Sequence, residues 1–443
     1  MDGSNRITYE HIRNQYPKLN GINLNEAYLP GANLIDANLR YTTLRNANLK
    51  GANLQGARLR EADLRDANLT EAILLLAAAP DAQLTNAALQ SSNLRNTNLR
   101  KCELSKSNLQ SADLTNADLR DSRLSGANLQ YADLTNADLR DATLFEANLS
   151  YANLGNAILA GARLSEADLT NANLKGADFA GAYLSGAKMD GTNWQEANMS
   201  GVKFRGLNLP EIDWKLLLKD RRLYKADFSE AIMSFADLTS IDFSNAIMNK
   251  TDLTGSDLTG AKLEWADLRG AILNQTILTD AKWGEGYSLP NLSNVTLMAI
   301  DLTGVDLSGV KSTYSREYRN GVNFSGASFL VTKLREAKLQ GADLSNAVFF
   351  FSNLQHADLT GANLSNVKLG STKLYSADLT DTNLQNADLE NANLCNAILY
   401  GADLKGACLR KADLSGASFD SATTFPDGSH MPSQEQIYQF TLK

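Results

Sequence analysis

The sequence predicts an all-β solenoid, and three observations carry that prediction. From Leu19 onward nearly every fifth residue is Leu or another large apolar residue, as at Leu24, Leu29, Leu34, Leu39 and Leu44. A small residue stands two positions before each, as at Ala32, Ala37, Ala47, Ala52 and Ala62, with Asn or Asp between at Asn33, Asn38, Asn48 and Asp63. Third, a period of five suits neither regular structure. On a helix each step of five turns the Leu by about 140° and smears it around the circumference. On a strand an odd step alternates faces. The chain must therefore turn once per unit, with the small residue and the Leu inward and the other positions toward water. About 77 units of the form Ala-(Asp/Asn)-Leu-x-x cover roughly nine-tenths of the chain.

These residues resemble the pentapeptide-repeat family. The resemblance implies a right-handed quadrilateral parallel β-helix with four pentapeptides per coil. The sequence supports a coil of four units in its own right: ADLTNADLRD at 112–121, followed by Ser122, recurs almost unchanged at 132–141. At about 4.8 Å between strands, the units stack into a rod on the order of 90 Å long. Each coil touches only its neighbours, so stability accumulates coil by coil and the ends need covers.

Residues 1–18 read as an N-terminal cap, in which Thr8 is placed to N-cap a helix through Gln15, with Ile7 and Ile12 as a hydrophobic staple. Regular repeats occupy 19–209. The segment 210–225 breaks them, and Asp213–Arg222, lacking the small residue, reads as a short helix or kink. Repeats resume in a shifted register over 226–283 and break at 284–291. One coil follows at 292–308, then a loop insertion at 309–321, then regular repeats over 322–424. Lys282-Trp-Gly-Glu-Gly286 and Thr424-Phe-Pro-Asp-Gly428 read as exit turns whose aromatic rings close the core. They divide the repeats into two stacked segments, Asn20–Trp283 and Leu292–Thr424. Residues 425–443 form the second cap: Ser433 and Gln436 have capping-box spacing, and Ile437 and Phe440 are expected over the last coil. Insertions are most simply neutral, because loops accept length cheaply. The functional alternative is a binding element, and the loop with Lys311, Tyr314, Arg316, Tyr318 and Arg319 is the stronger candidate.

The 443 residues are 43% hydrophobic and 21% charged, which excludes disorder. A net charge of −8 argues against nucleic acid or an anionic membrane as a direct partner. Three Cys cannot form a disulfide framework and point to a reducing compartment. Residues 1–5 show no signal-peptide pattern, and the longest apolar run, Ala72–Ala79, falls far short of the roughly 20 residues of a membrane span. A cytoplasmic location is the expectation. The chain has three His: His11 in the cap, His356 at a corner and His430 in the tail, with no two at motif spacing. Gly255 and Gly260 have phosphate-loop spacing but continue Ala-Lys rather than Lys-Ser/Thr. Cys102 replaces an inward Ala, while Cys395 and Cys408 point outward on different faces. No catalytic residue, cofactor or metal is expected.

Function is thus expected on the surface, as a scaffold or regulator that binds another protein. Reading every twentieth residue aligns Arg40, Arg60, Arg100, Arg120 and Arg140 beside Glu61, Asp121 and Asp141. This is either a solvated face of weak ion pairs or, at Arg100, Arg120 and Arg140, a docking strip for an acidic partner. Gln90, Gln110 and Gln130 beside Asn108 and Asn128 read as a structural amide stack. The third surface is apolar. The unit Ala347–Phe351 puts Phe349 inside and leaves Val348, Phe350 and Phe351 outside. Leu330 and Val331, twenty residues earlier, are expected beneath Phe350 and Phe351. Contiguous exposed apolar area marks an interface, or here a seat for the 309–321 loop. A lesser breach stands at Ile73, Leu75 and Leu76, where Ala77–Pro80 is expected to bulge. Self-association through this patch or the C-terminal cap is also open.

Charge is uneven: residues 1–140 carry 15 acidic and 16 basic residues, and 226–307 carry 12 and 4. Some bacterial members of the family that the chain resembles imitate B-DNA and bind type II topoisomerases, protecting gyrase. The resemblance therefore makes a DNA mimic acting through 226–307 the alternative function. DNA carries about one charge per 1.7 Å, so a full-length mimic needs on the order of 50. The chain has −8.

Overall fold

Each pentapeptide folds as one paired residue followed by one tight turn. The geometry comes from a computed structural model that describes residues 7–12, 17–207, 209, 223, 225–284, 289–302, 305–307, 310–311, 318–319, 321–430, 437 and 440–442. In a representative turn, the carbonyl of Leu24 accepts from the amide of Ala27 at 3.1 Å, over Asn25 and Glu26. Glu26 has φ 59, so this corner places a left-handed residue third, as a type II turn does. The same holds at Asp36, Asn46 and Glu61, and at Gly21, Gly31 and Gly51. An L-residue pays about 1–2 kcal/mol for this conformation, and a glycine escapes it. Two sets of hydrogen bonds offset that cost. The corner amide donates to the next coil, as Glu26 does to Arg45 at 2.7 Å. The Asn or Asp of the repeat accepts from the amide two residues on, as Asn48 Oδ1 does from Lys50 at 3.1 Å. The carboxylates and amides of the repeat are therefore turn-forming groups as well as water-facing ones.

In the regular runs pairing partners stand twenty residues apart, as in Asn33↔Asn53↔Ile73↔Asn93, and every bridge at that spacing is parallel. Four pentapeptides thus complete each coil, and the fold is a parallel β-helix. The small and large positions are buried along the regular runs, with Leu119, Leu139 and Ala137 at 0% exposure. Thr or Ser at the small position is satisfied internally: Thr42 Oγ1 donates to the Leu19 carbonyl at 2.7 Å.

The chain divides into two compact units, Met1–Leu207 with Leu216–Ala226, and Asn208–Lys215 with Asp227–Lys443. In the first, four ladders rise from Thr8, Lys18, Asn23 and Asn33. Helix α1, Tyr9–Ile12, opens it with Ile12 buried. The Thr8 amide donates to His11 Nδ1 at 3.1 Å, so His11 takes the part a capping-box Glu usually plays. The expected extension of this helix to Gln15 lies outside the described residues. The expected bulge at Ala77–Pro80 is absent: Ala78 pairs with both Arg58 and Asn98. Pro80 occupies the first corner position, where its fixed φ suits the turn and no amide is needed.

In the second unit four ladders rise from Asp227, Ile232, Asp237 and Asp242. The first two continue across 284–291, as Asp267↔Asn291 and Ile272↔Thr296. The compact units therefore divide near 208–226, where the sequence reading placed an insertion, rather than at the 284–291 break. These two ladders keep their pairing across the break with partners 24 residues apart. Three levels form regular strands: β1 (Thr296–Met298), β4 (Ser328–Leu330) and β5 (Val348–Phe350), with parallel order β1-β4-β5. The 309–321 insertion contains β2 (Val310–Lys311) and β3 (Tyr318–Arg319), paired antiparallel. At the far end Phe419 tilts against Phe425 at 5.0 Å, and Phe425 stacks with Phe440 at 6.1 Å. Ser433, Gln436 and the segment 210–222 lie outside the described residues.

Candidate protein-docking surface

The sheet β1-β4-β5 has a regular inner face and an irregular outer one. Inside, Phe329 and Phe349 stack with centroids 4.2 Å apart and planes at 3°, and Phe324 meets Phe329 edge-on at 5.0 Å. Outside, Met298, Leu330 and Phe350 stand in register, one per strand. Val331 and Phe351 flank them at the corners, and the Val331 amide donates to the Phe350 carbonyl at 3.0 Å. The expected stacking of Leu330 and Val331 beneath Phe350 and Phe351 is thus the observed register. Met298 is 38% exposed, Phe350 43%, Val331 58% and Phe351 72%. Leu330 and Val348 are half-buried.

Met298 was invisible to a count of twenty residues, because 32 positions separate it from Leu330. The same ladder carries further apolar residues, Ile232 and Ile272, paired through Asp252. Phe235 follows at the corner with 76% exposure. A Cβ on Gly255 would come within 2.6 Å of the Phe235 ring, so only glycine lets that ring lie along the coil.

Two corners of this surface are apolar and left-handed, as are the corners at Leu76 and Trp265 elsewhere. Val331 (φ 56) is the single β-branched residue among the described residues with positive φ outside glycine. Phe351 (φ 54) and Phe235 (φ 60) are bulky residues in the same conformation. Such residues avoid this region.

The arginine column is placed as expected and is locally neutralised. Arg100 Nε stands 3.3 Å from Asp121, Arg120 pairs with Asp118 at 2.6 Å and Asp138 at 3.6 Å, and Arg140 pairs with Asp138 at 2.6 Å. The hydrogen bond from Arg120 holds the Asp118 carboxyl below the usual range, against partial burial. The amide stack is present in part, with Asn128 Nδ2 donating to Asn108 Oδ1 at 3.2 Å. Tyr131 and Tyr151 stack at 5.2 Å beside it. Of the loop candidates, Tyr314 and Arg316 lie outside the described residues, and Tyr318 and Arg319 contribute the backbone of β3.

The remaining chemistry-bearing groups have structural partners. His430 Nδ1 lies 3.0 Å from the Thr423 carbonyl, and His356 meets Tyr375 edge-on. Burial pushes the Cys102 thiol up to about 12, and its Sγ lies 2.8 Å from the Ala79 carbonyl. Cys395 Sγ contacts Asp413 at 2.8 Å, and Cys408 is exposed. Among the described residues no group of three His, Cys, Asp or Glu is placed to hold a metal ion, and no helix is long and apolar enough to cross a membrane.

Fold and surface together define a parallel β-helix with a uniform core and a locally apolar exterior. The family model for pentapeptide repeats matches in eight copies, at 18–56, 47–77, 147–186, 177–213, 236–275, 320–349, 332–366 and 377–416. A pentapeptide repeat region model matches 77–154. The chain belongs to the pentapeptide-repeat family. Among solved structures it is similar to HetL, a pentapeptide repeat protein involved in heterocyst differentiation regulation in the cyanobacterium Nostoc sp. strain PCC 7120. The identity is 26% over 74% of this chain and 91% of HetL, with TM-score 0.17. A pentapeptide repeat protein from the Arabidopsis thaliana thylakoid lumen is 32% identical over 26% of this chain and 72% of its own, with TM-score 0.18. QnrB1, a plasmid-mediated fluoroquinolone resistance protein, is 19% identical over 43% and 87%, with TM-score 0.21. No curated protein matches the chain.

Proposed function

We propose that this protein is a non-enzymatic interaction scaffold, a right-handed quadrilateral β-helix that docks a partner protein on the outer face of β1-β4-β5. The observation that carries this reading is the row Met298, Leu330 and Phe350 flanked by Val331 and Phe351. These positions lose twice by being apolar: they forgo hydration of a polar side chain, and the two corners hold unfavourable residue types in a left-handed turn. A position that serves only the fold is better filled by Asn, Asp or Gly, as most corners are. The coil of four pentapeptides supports the quadrilateral cross-section, since four turns close each coil.

The test is the double substitution Phe350→Ser and Phe351→Ser. Both residues lie outside the core, so melting should stay within about 3 °C of the parent. Self-association in sedimentation velocity, or capture of the partner from a host extract, should fall. Unfolding of the variant, or unchanged sedimentation and capture, would remove the surface as the docking site.

A further inference from the structure

The outer face of β1-β4-β5 belongs to a longer ladder, Asp252↔Ile272↔Thr296↔Ser328↔Val348↔Lys368, which restricts what kind of chain can sit on it. Each strand between its two ends is paired on both sides, so no row of backbone groups is open to an added strand. A partner chain buried here must satisfy its own backbone groups, as a helix does. The apolar side chains also run across the strands rather than along one of them. Met298, Leu330 and Phe350 form one column with Ile272 near its foot, and Val331 and Phe351 form a second at the corner. Successive rows are about 4.8 Å apart. One turn of α-helix rises about 5.4 Å, so a helix along the columns presents one side chain to each row. An extended chain repeats its facing side chain about every 6.7 Å and falls out of step within two rows.

The two ends of the ladder differ in charge. At the foot, Asp252 and Asp257 accept from the amides of Thr254 and Thr259, both at 2.9 Å, and form no ion pair among the described residues. Lys250 at the far corner offsets one of them. At the head stand Lys368 and Lys373, both exposed and without an ion pair among the described residues. Asp388 lies one strand beyond Lys368. We propose that the occupant of this face is an amphipathic α-helix of a partner protein, about 16 residues long, lying along the columns. This rests on the reading of the same face as a docking surface. The length is that of the ladder, on the order of 24 Å from Asp252 to Lys368 at the strand spacing. The apolar stripe of the helix covers Met298, Leu330 and Phe350 with side chains at i, i+3 or i+4, and i+7. Its partly positive N-terminus lies toward Asp252 and Asp257, and its partly negative C-terminus toward Lys368 and Lys373.

Selection of a displayed library of random peptides of about 16 residues on the full chain tests this, with the Phe350→Ser, Phe351→Ser protein as counter-selection. Enriched peptides should carry large apolar residues at i, i+3 or i+4, and i+7. A synthetic copy should gain helical circular dichroism on binding the parent. The variant K368E/K373E should weaken that binding about fivefold or more at low salt, and less at high salt. Apolar residues enriched at every second position, no gain of helicity, or binding indifferent to K368E/K373E would overturn the proposal. Failure to enrich any peptide against the double variant would overturn it as well. If partner capture or self-association still falls in the double variant, the docking surface stands and only its occupant is wrong. If both are unchanged, the surface itself fails.

Discussion

Asp118 shows how one residue of the repeat serves both the turn and the surface. Its Oδ1 accepts from the Arg120 amide at 3.2 Å, which shapes the corner, and from Arg120 Nε at 2.8 Å. The guanidinium hydrogen bond holds the folded carboxyl below its ordinary value of about 3.9. A carboxyl depressed on folding stabilises the fold above the unfolded value, and that share is lost as pH falls through the folded value. Asp118→Asn keeps the acceptor for the turn and removes the charge. The variant should be less stable than the parent at pH 7, with the gap in denaturant midpoint closing below about pH 4. A gap that stays constant to pH 2 would show that the charge contributes nothing. At this scale the sequence was half legible. Asp or Asn in the second position was plain from repetition, but its turn-forming role depends on backbone angles that no residue count reveals. The left-handed corner was hidden for the same reason, since Glu, Asn, Lys and Tyr all occupy it.

The pentapeptide is the element at which inside and outside are decided. Leu119 is fully buried, and its amide donates to the backbone carbonyl of Asp138 at 2.7 Å. Leu119→Asp puts an unpaired charge among Leu and Ala, at a cost of about 4 kcal/mol or more. Arg120→Ser, one residue on, removes surface ion pairs and should leave the melting midpoint nearly unchanged. Melting of the two variants compares them directly, and similar midpoints would contradict the inward and outward assignment. This assignment was legible because an odd period leaves only one solution with a single buried face. Pairing across the insertions was not. Twenty-residue columns miss partners 24 and 32 apart, such as Ile272↔Thr296 and Leu297↔Phe329. Met298 was lost from the apolar surface for that reason, while Leu330 and Phe350, on the regular spacing, were found. Pro80 misled in the opposite direction, since proline reads as a break in sequence yet fits the first corner position.

At the scale of the molecule, charge separates the scaffold reading from a nucleic-acid mimic. Net charge is −8 over 443 residues. Within the acidic stretch, Asp242 pairs with Lys262 at 3.3 Å and Asp267 with Arg269 at 2.6 Å, which reduces the field further. A gyrase supercoiling assay should accordingly show no effect of micromolar protein. Inhibition relieved by substituting the carboxylates of 226–307 would favour the mimic instead. The family and the coil of four pentapeptides were legible at this scale. The division near 208–226 was visible only as a break, because a gap in periodicity does not say which flanking coils pack as one body.

The twenty-residue ladder also sets the order in which the protein can be made. A coil needs only the next coil as its partner, so no contact in the regular runs waits for a distant part of the chain. At roughly 5–20 residues per second, a ribosome releases one coil about every one to four seconds. Within the regular runs of each unit, an emerging coil finds the edge of the coil before it to add to. Folding can therefore proceed coil by coil within each unit in step with translation, each coil serving as the template for its successor.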